Sequence, residues 1–376
     1  MIKEEKKRPT IRFKGFEDDW EQRKIFELTD RIDTGKSEFS NESIGKYAIL
    51  GSTSVIGYDR TFDYKGDFLL TARVGANAGN LYRYTGKVKI SDNTVFLQGK
   101  QVDFLYYLLD HFNIKKLSFG TGQPLIKASE LKKLTLWVPQ SDKERNRIGI
   151  YFKNLDNLIT LHQRKLDQVQ TLKKYFLQNM FPAKGETVPK IRFKGFTGDW
   201  EQRKFSEIAE RTSKSGVSSA EFPSVEYEDV IAEEGVLNKN IRLKGTGKRG
   251  ILFTGTQILF GKLRPYLHNW LNPDFAGVAV GDWWVLQPKN LEKFFLYVLI
   301  QTHRFDEIAN QSAGSKMPRA DWNLVANSEF CVPKIVEEQK NIGRYFQQLD
   351  HLITLHHRKI DQLQILKKFM LQNLFV

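Results

Sequence analysis

The chain has 376 residues, with 58 Lys and Arg against 44 Asp and Glu, a net charge of +14. Forty per cent hydrophobic and 12% aromatic residues exclude a disordered chain, and the length allows two or three domains with cores of their own. The positive balance points to a polyanionic partner, most simply nucleic acid. No run approaches the ~20 apolar residues of a membrane-spanning helix, and the opening MIKEEKKRPT lacks the apolar core of a signal sequence. Cys331 is the single cysteine, so no intramolecular disulfide forms and a reducing, cytoplasmic setting fits. Between Phe330 and Val332 it reads as a small core residue rather than a nucleophile.

In chain order, the first feature is a frame. Residues 11–31, IRFKGFEDDWEQRKIFELTDR, return as residues 191–211, IRFKGFTGDWEQRKFSEIAER, with 14 of 21 positions identical at an offset of 180. Trp20 and Trp200 recur in it and are expected as core anchors. The inserts that follow, residues 32–117 and 212–311, share only scattered patterns. Residues 67–71 after Gly66, and 257–260 after Gly255, predict matching short buried strands, and residues 93–97 correspond to 283–286. Loops follow the first strand of each pair, RVGANAG at 73–79 and GKLRP at 261–265. A short helix is expected around residues 104–109 and around 295–300. Alignment resumes between residues 118–124 and 312–318, and both lead into an apolar strand ending in Val138-Pro139 or Val332-Pro333.

The strongest signal comes last in each half. Residues 148–181 and 342–375 are identical at 23 of 34 positions, at an offset of 194. The second insert is therefore 14 residues longer (194 − 180). In the first copy Ile148, Phe152, Leu155, Ile159, Leu166 and Val169 recur at steps that give one apolar seam along a long helix. Ile342, Phe346, Leu349, Ile353, Ile360 and Leu363 repeat it. His162 and His356 fall in the seam at matched positions and read as a polar layer fixing register, since the seven histidines show no metal-ligand spacing. Ser141 and Glu144 predict a capping box at the start of the first helix. Residues 182–189, PAKGETVP, form the linker between the halves.

This order predicts an α+β protein. Two mixed α/β domains are expected to be related by pseudo-twofold symmetry and separated by two long antiparallel coiled-coil helices, because a short connection favours antiparallel neighbours. The segments are 1–140 (first domain), 141–182 (central helix), 183–334 (linker and second domain) and 335–376 (second helix). A helix of ~34 residues spans ~50 Å. Duplex DNA rises ~3.4 Å per base pair, so domains held by such a spacer would suit two short segments separated by a fixed gap.

The duplicated order resembles the specificity subunit of type I restriction-modification systems, over nearly the whole chain. The residues that carry the resemblance are the paired RFKGF-x-x-DWE openings, the Gly66-to-Leu70 strand with its Gly255-to-Leu259 counterpart, and the Val-Pro exits. Val336-Glu-Glu-Gln339 at the head of the second helix and the doubled helix itself match too. Ser141-Asp-Lys-Glu-Arg145 departs from the Glu-Glu-Gln pattern at the head of the first. The resemblance implies two target recognition domains, each reading half of a bipartite asymmetric site in double-stranded DNA. It implies helices that set the gap and dock two modification (methyltransferase) subunits, joined by restriction subunits. It further implies a non-catalytic chain without a cofactor of its own, S-adenosylmethionine, ATP and Mg belonging to the partners, in a bacterial or archaeal cytoplasm.

Reading DNA needs cations for phosphates and forked or amide side chains for base edges. In the first insert these are Arg73, Asn77, Arg83, Lys87 and Gln123. In the second they are Lys248, Arg249, Lys262, Arg264, His268, Lys316 and Arg319. Two enzymatic readings are weaker. Asn272-Pro-Asp-Phe275 is an adenine-holding Asn-Pro-Pro-Phe broken by Asp274. Phe253-Thr-Gly-Thr-Gln257 is one residue short of a methyl-donor loop, and no GxxxxGK[ST] is present. Gly120-Thr-Gly122 is a weak phosphate-binding signal. An autonomous DNA methyltransferase or nuclease lacks its catalytic cluster, and a coiled-coil structural adaptor would not need two divergent basic inserts.

Overall fold

The computed structural model describes residues 8–39, 45–118, 124–311 and 317–376. The chain forms two compact units, Met1–Leu161 with Lys359–Val376, and His162–Arg358. These units cut across the four linear segments expected above, because each long helix begins in one unit and ends in the other.

In the first unit β1 (Glu21–Lys24), β2 (Arg31–Thr34), β3 (Tyr47–Leu50), β4 (Val55–Asp59), β5 (Tyr64–Ala72), β6 (Leu81–Ile90) and β7 (Thr94–Gln98) precede α1 (Val102–Phe112). Then come α2 (Ala128–Lys133), β8 (Thr135–Val138) and the long α3 (Asp142–Asn179). Six strands form one sheet in the order β2-β7-β5-β6-β3-β4, while β1 pairs with β8 apart from it. The apolar run of β5 is continuous because both of its faces are covered, as period-2 side chains require. Phe68 and Leu70 pack with Leu50, Val88 and Phe96 on one side. Leu69 packs with Val95, Leu97 and α1 on the other.

The second unit holds β9 (Glu201–Lys204), α4 (Phe205–Ile208), β10 (Ala209–Thr212), β11 (Ser215–Val217), β12 (Ser224–Val225), β13 (Val230–Ile231) and β14 (Val236–Leu237). It continues with β15 (Arg249–Phe253), β16 (Ile258–Gly261), β17 (Trp270–Leu271), β18 (Gly277–Ala279) and β19 (Trp283–Pro288). Helices α5 (Lys293–Leu299), α6 (His303–Ala309) and α7 (Trp322–Asn327), strand β20 (Glu329–Val332) and the long α8 (Val336–Asn373) complete it. The order β10-β19-β16-β17 repeats β2-β7-β5-β6, and β20-β9 repeats β8-β1. The expected matches, 67–71 with 257–260 and 93–97 with 283–286, thus occupy equal places in the two sheets. Beyond this frame the units differ. The first adds β3-β4 to the sheet edge, and the second builds a separate sheet, β11-β15-β18-β12, and a hairpin, β13-β14.

Each frame is locked to the long helices in the same way. Arg12 holds both oxygens of Glu144 at 2.8 Å. Arg192 holds Glu338 at 2.6 and 2.9 Å. Glu144 is therefore drawn to Arg12 instead of forming the expected capping box, and the carbonyl of Ser141 accepts from the N–H groups of Glu144 and Arg145 at 3.1 Å. Ile11 N–H donates to the carbonyl of Asn373 (2.9 Å), and Ile191 N–H to that of Asn179 (2.8 Å). Trp20 and Trp200 are buried as anchors. Phe375 fills the first core against Trp20, Phe104 and Phe152. Phe181 fills the second against Trp200, Phe295 and Phe346.

Within each unit the helix segments run antiparallel, since partner numbers fall on α8 as they rise on α3. In the first, Phe152 stacks on Phe375 and Asp156 meets Lys367 at 2.7 Å. In the second, His162 and His356 face each other, Nδ1 to Nδ1, at 3.0 Å, and Lys173 meets Asp350 at 2.7 Å. Of the apolar seam residues, Ile159 and Val169 are half-buried and the rest are buried. Gly149 and Gly343 let the short helices approach: a Cβ at Gly149 would stand 2.7 Å from the backbone nitrogen of Phe104, and one at Gly343 3.1 Å from that of Phe295.

Candidate functional site

The loop leaving β5 is built by backbone pairing. Arg73 carbonyl accepts from Ile126 N–H (2.8 Å) and Gly75 N–H donates to Pro124 carbonyl (3.0 Å). Gly75 and Gly79 take φ of +88° and +84°, which glycine adopts at little cost. Between them Asn77 is exposed, and its side-chain oxygen accepts from Asn80 at 3.0 Å. Lys87 is exposed on β6, its ammonium 4.7 Å from the Phe62 ring centre. Arg83 points elsewhere. Its guanidinium meets Asp103 at 2.7 Å and Asp156 at 3.8 Å and lies over the Tyr106 ring at 4.4 Å. Its charge is thus committed to holding the sheet against α1 and α3. Gln123 and the Gly120–Gly122 signal lie outside the described residues.

The second unit repeats the construction with other side chains. Ala320 N–H donates to Lys262 carbonyl (2.8 Å) and Arg264 N–H to Pro318 carbonyl (2.7 Å), as Ile126 and Gly75 do in the first. Arg264 and His268 take left-handed φ of +48° and +55°, where the first loop has glycines. Lys262 and Arg319 flank Asp282 at 3.5 and 3.3 Å. Burial opposes it, but the two cations hold the Asp282 carboxyl below its ordinary range. Lys248 reaches both oxygens of Glu226 at 2.8 Å. His268 stacks on Trp270 and meets Asp306 at 2.9 Å, and that hydrogen bond raises it above the ordinary histidine range despite partial burial. Arg249 is exposed at the start of β15. Lys316 lies outside the described residues. The sequence did not show how many of these cations have carboxylates beside them, because Asp282, Glu226 and Asp306 come from distant stretches of chain.

A second feature escaped the seam reading. Leu158, Leu161, Leu172 and Tyr175 on α3 are exposed, and so are their counterparts Leu352, Leu355, Leu366 and Phe369 on α8. The first unit carries Leu158, Leu161, Leu366 and Phe369, and the second carries Leu352, Leu355, Leu172 and Tyr175. Recurrence at an offset of 194, off the buried seam, was the available signal.

The two methyltransferase-like fragments meet in space. The Lys293 ammonium donates to the carbonyls of Gly255 and Pro273, both at 2.7 Å, and burial pushes this lysine below its ordinary range. The amine here rivets two turns together. Among the described residues no group of three or more His, Cys, Asp or Glu could hold a metal ion. No described helix is long and apolar enough to cross a membrane.

A family model described as the type I restriction modification DNA specificity domain matches twice, over residues 17–171 and 197–364. The type I restriction enzyme MjaVIII specificity subunit of Methanocaldococcus jannaschii is 24% identical, over 78% of this chain and 75% of that protein. The EcoDI specificity subunit of Escherichia coli is 21% identical, over 90% of this chain and 83% of that protein. Among solved structures, the S subunit of a type I restriction-modification system from M. genitalium superposes with a TM-score of 0.67 at 17% identity. That match spans 98% of this chain and 99% of the other, and is a likeness of fold.

Proposed function

The chain belongs to the type I restriction modification DNA specificity family, and on that premise we propose that it is the non-catalytic, target-reading subunit of such a system. Each unit reads one half of a bipartite, asymmetric site in double-stranded DNA. One observation carries this reading: the two units share strand order and the Arg–Glu clamp, yet build different sheets on that frame. Two unlike half-sites need two unlike surfaces on one scaffold. Arg73, Asn77 and Lys87 in the first unit, and Lys248, Arg249, Lys262, Arg264 and Arg319 in the second, are assigned to phosphates and base edges. Arg83 and His268 are left out because each is both paired with a carboxylate and packed on an aromatic ring of its own unit, Tyr106 and Trp270. Gln123 and Lys316 stand on the sequence alone.

The doubled apolar quartets on the long helices suit two copies of one partner, the modification subunit, with restriction subunits joining the assembly. Methyl donor, ATP and Mg chemistry belongs to those partners, and the setting is a bacterial or archaeal cytoplasm. A structural adaptor would use the same helices but gives no reason for the divergent sheets. The test is to assemble the chain with its modification subunit and sequence the methylated sites. Exchanging residues 32–117 for those of a relative should change one half of the recovered motif only. A change in both halves, or methylation without sequence preference, would refute the reading.

A further inference from the structure

The two units carry the same groove, and among the described residues only the second unit covers it. In the first, Asp110 at the end of α1, Ile159 on α3, and Lys367, Lys368 and Leu371 on α8 line an open groove of about 460 Å³. In the second, the matched positions Gln301, Ile353, Lys173, Lys174 and Leu177 line a cavity of about 360 Å³. There the turn between β13 and β14 adds a wall through Ala232, Glu233 and Glu234. Glu234 lies 2.9 Å from His357 and Glu233 3.9 Å from Lys174. The turn is fitted closely. Glu233 N–H donates to the carbonyl of His268 at 2.9 Å, and a Cβ at Gly235 would fall 1.9 Å from the Tyr297 hydroxyl.

Among the described residues, no strand or turn of the first unit's head lines its groove. Lys367 is taken by Asp156 at 2.7 Å. Lys368, the counterpart of Lys174, is exposed and has no carboxylate within ion-pair distance among the described residues. With Lys367 balanced by Asp156, the lining leaves Lys368 and Asp110 as its remaining charges, while Ile159 and Leu371 offer apolar walls.

We propose that the open groove of the first unit receives an acidic turn of a protein partner, in the place that residues 232–235 take in the second. The proposal rests on the reading above, which supplies the modification subunit as that partner. Apolar walls beside the unpaired Lys368 ammonium fit a folded turn with a carboxylate at its tip, as the Glu233–Glu234 turn sits in the second unit. A bare phosphate would leave the apolar walls unused.

The experiment titrates the modification subunit onto the full chain and onto two matched variants, Lys368→Glu and Lys174→Glu, each first checked for an unchanged melting curve. Lys368→Glu should weaken at least one binding step tenfold or more, and Lys174→Glu should change binding less than threefold. A photo-crosslinking residue in place of exposed Gln372 should capture a modification-subunit peptide containing Asp or Glu. Equal effects of the two variants, or a crosslink to a segment without acidic residues, would overturn the proposal. So would intact subunit binding with weakened, less salt-dependent DNA binding, which would make the occupant nucleic acid. If the unaltered chain bound no modification subunit, the function reading itself would fall, which is a distinct result.

Discussion

Replacing Arg12 by Met is the sharpest test of how the frame is held to the long helices. Glu144 is 2% exposed at its side chain and Arg12 14% exposed, so the substitution strands a carboxylate that water scarcely reaches. Stranding one member of a buried pair costs about 3–5 kcal/mol, and the partial exposure of Arg12 places this case near the lower end, ~3 kcal/mol. The second unit provides an internal comparison. Glu338 also accepts from the Trp200 indole N–H at 3.3 Å, a bond with no counterpart at Trp20, whose indole nitrogen has no partner among the described residues. One retained hydrogen bond is worth about 1 kcal/mol, so Arg192→Met should cost ~2 kcal/mol. Arg12→Met combined with Glu144→Met removes the stranded charge and should recover about 2 kcal/mol of the loss. Urea unfolding, followed by hydrogen exchange of peptides from residues 142–155 and 336–349, reads each unit separately. A cost below about 1 kcal/mol for Arg12→Met, the value of an exposed pair, would refute the clamp. So would a double variant no more stable than the single one.

Two further outcomes follow from local geometry. Gly149→Ala should gain ~1 kcal/mol on helix propensity alone, but its Cβ would press on the Phe104 backbone, so thermal unfolding should show a net loss of about 1–3 kcal/mol; a rise in Tm would contradict the close approach. His268 has a folded pKa above its unfolded value of about 6.5, so its pairing with Asp306 stabilises fully below that pH and fades as pH rises through the raised value. The stability difference between wild type and His268→Asn, a residue that tolerates the left-handed backbone, should thus be larger at pH 6 than at pH 9. A difference that grows with pH would show the pairing to be misassigned.

The parts of the fold legible in the sequence were those with dense or repeated patterns. β5 and β16 were visible because strands covered on both faces read as unbroken apolar runs, and α3 and α8 because a seam recurs over many turns. The sheet β11-β15-β18-β12 was not visible. Its strands span two to five residues and include Ser224, Gly216 and Gly277, so no alternation develops. Arg12 and Glu144 each recur in the second half, yet no local rule joins residues 132 positions apart. Among the charged candidates, sequence located the two loops after β5 and β16 but not their carboxylate neighbours. Charge was legible as composition, whereas its direction depends on which distant Asp or Glu the fold brings beside it.

The first unit contains Lys359–Val376, and Leu363, Leu374 and Phe375 belong to its buried cluster. During translation those residues leave the ribosome only after every residue of the second unit has been made. Until then the nascent first head has Trp20, Phe104 and Phe152 facing solvent where Phe375 will sit. Its last folding step must wait on residues made after the whole second unit, so premature termination near codon 358 would damage the unit that was synthesised earlier of the two.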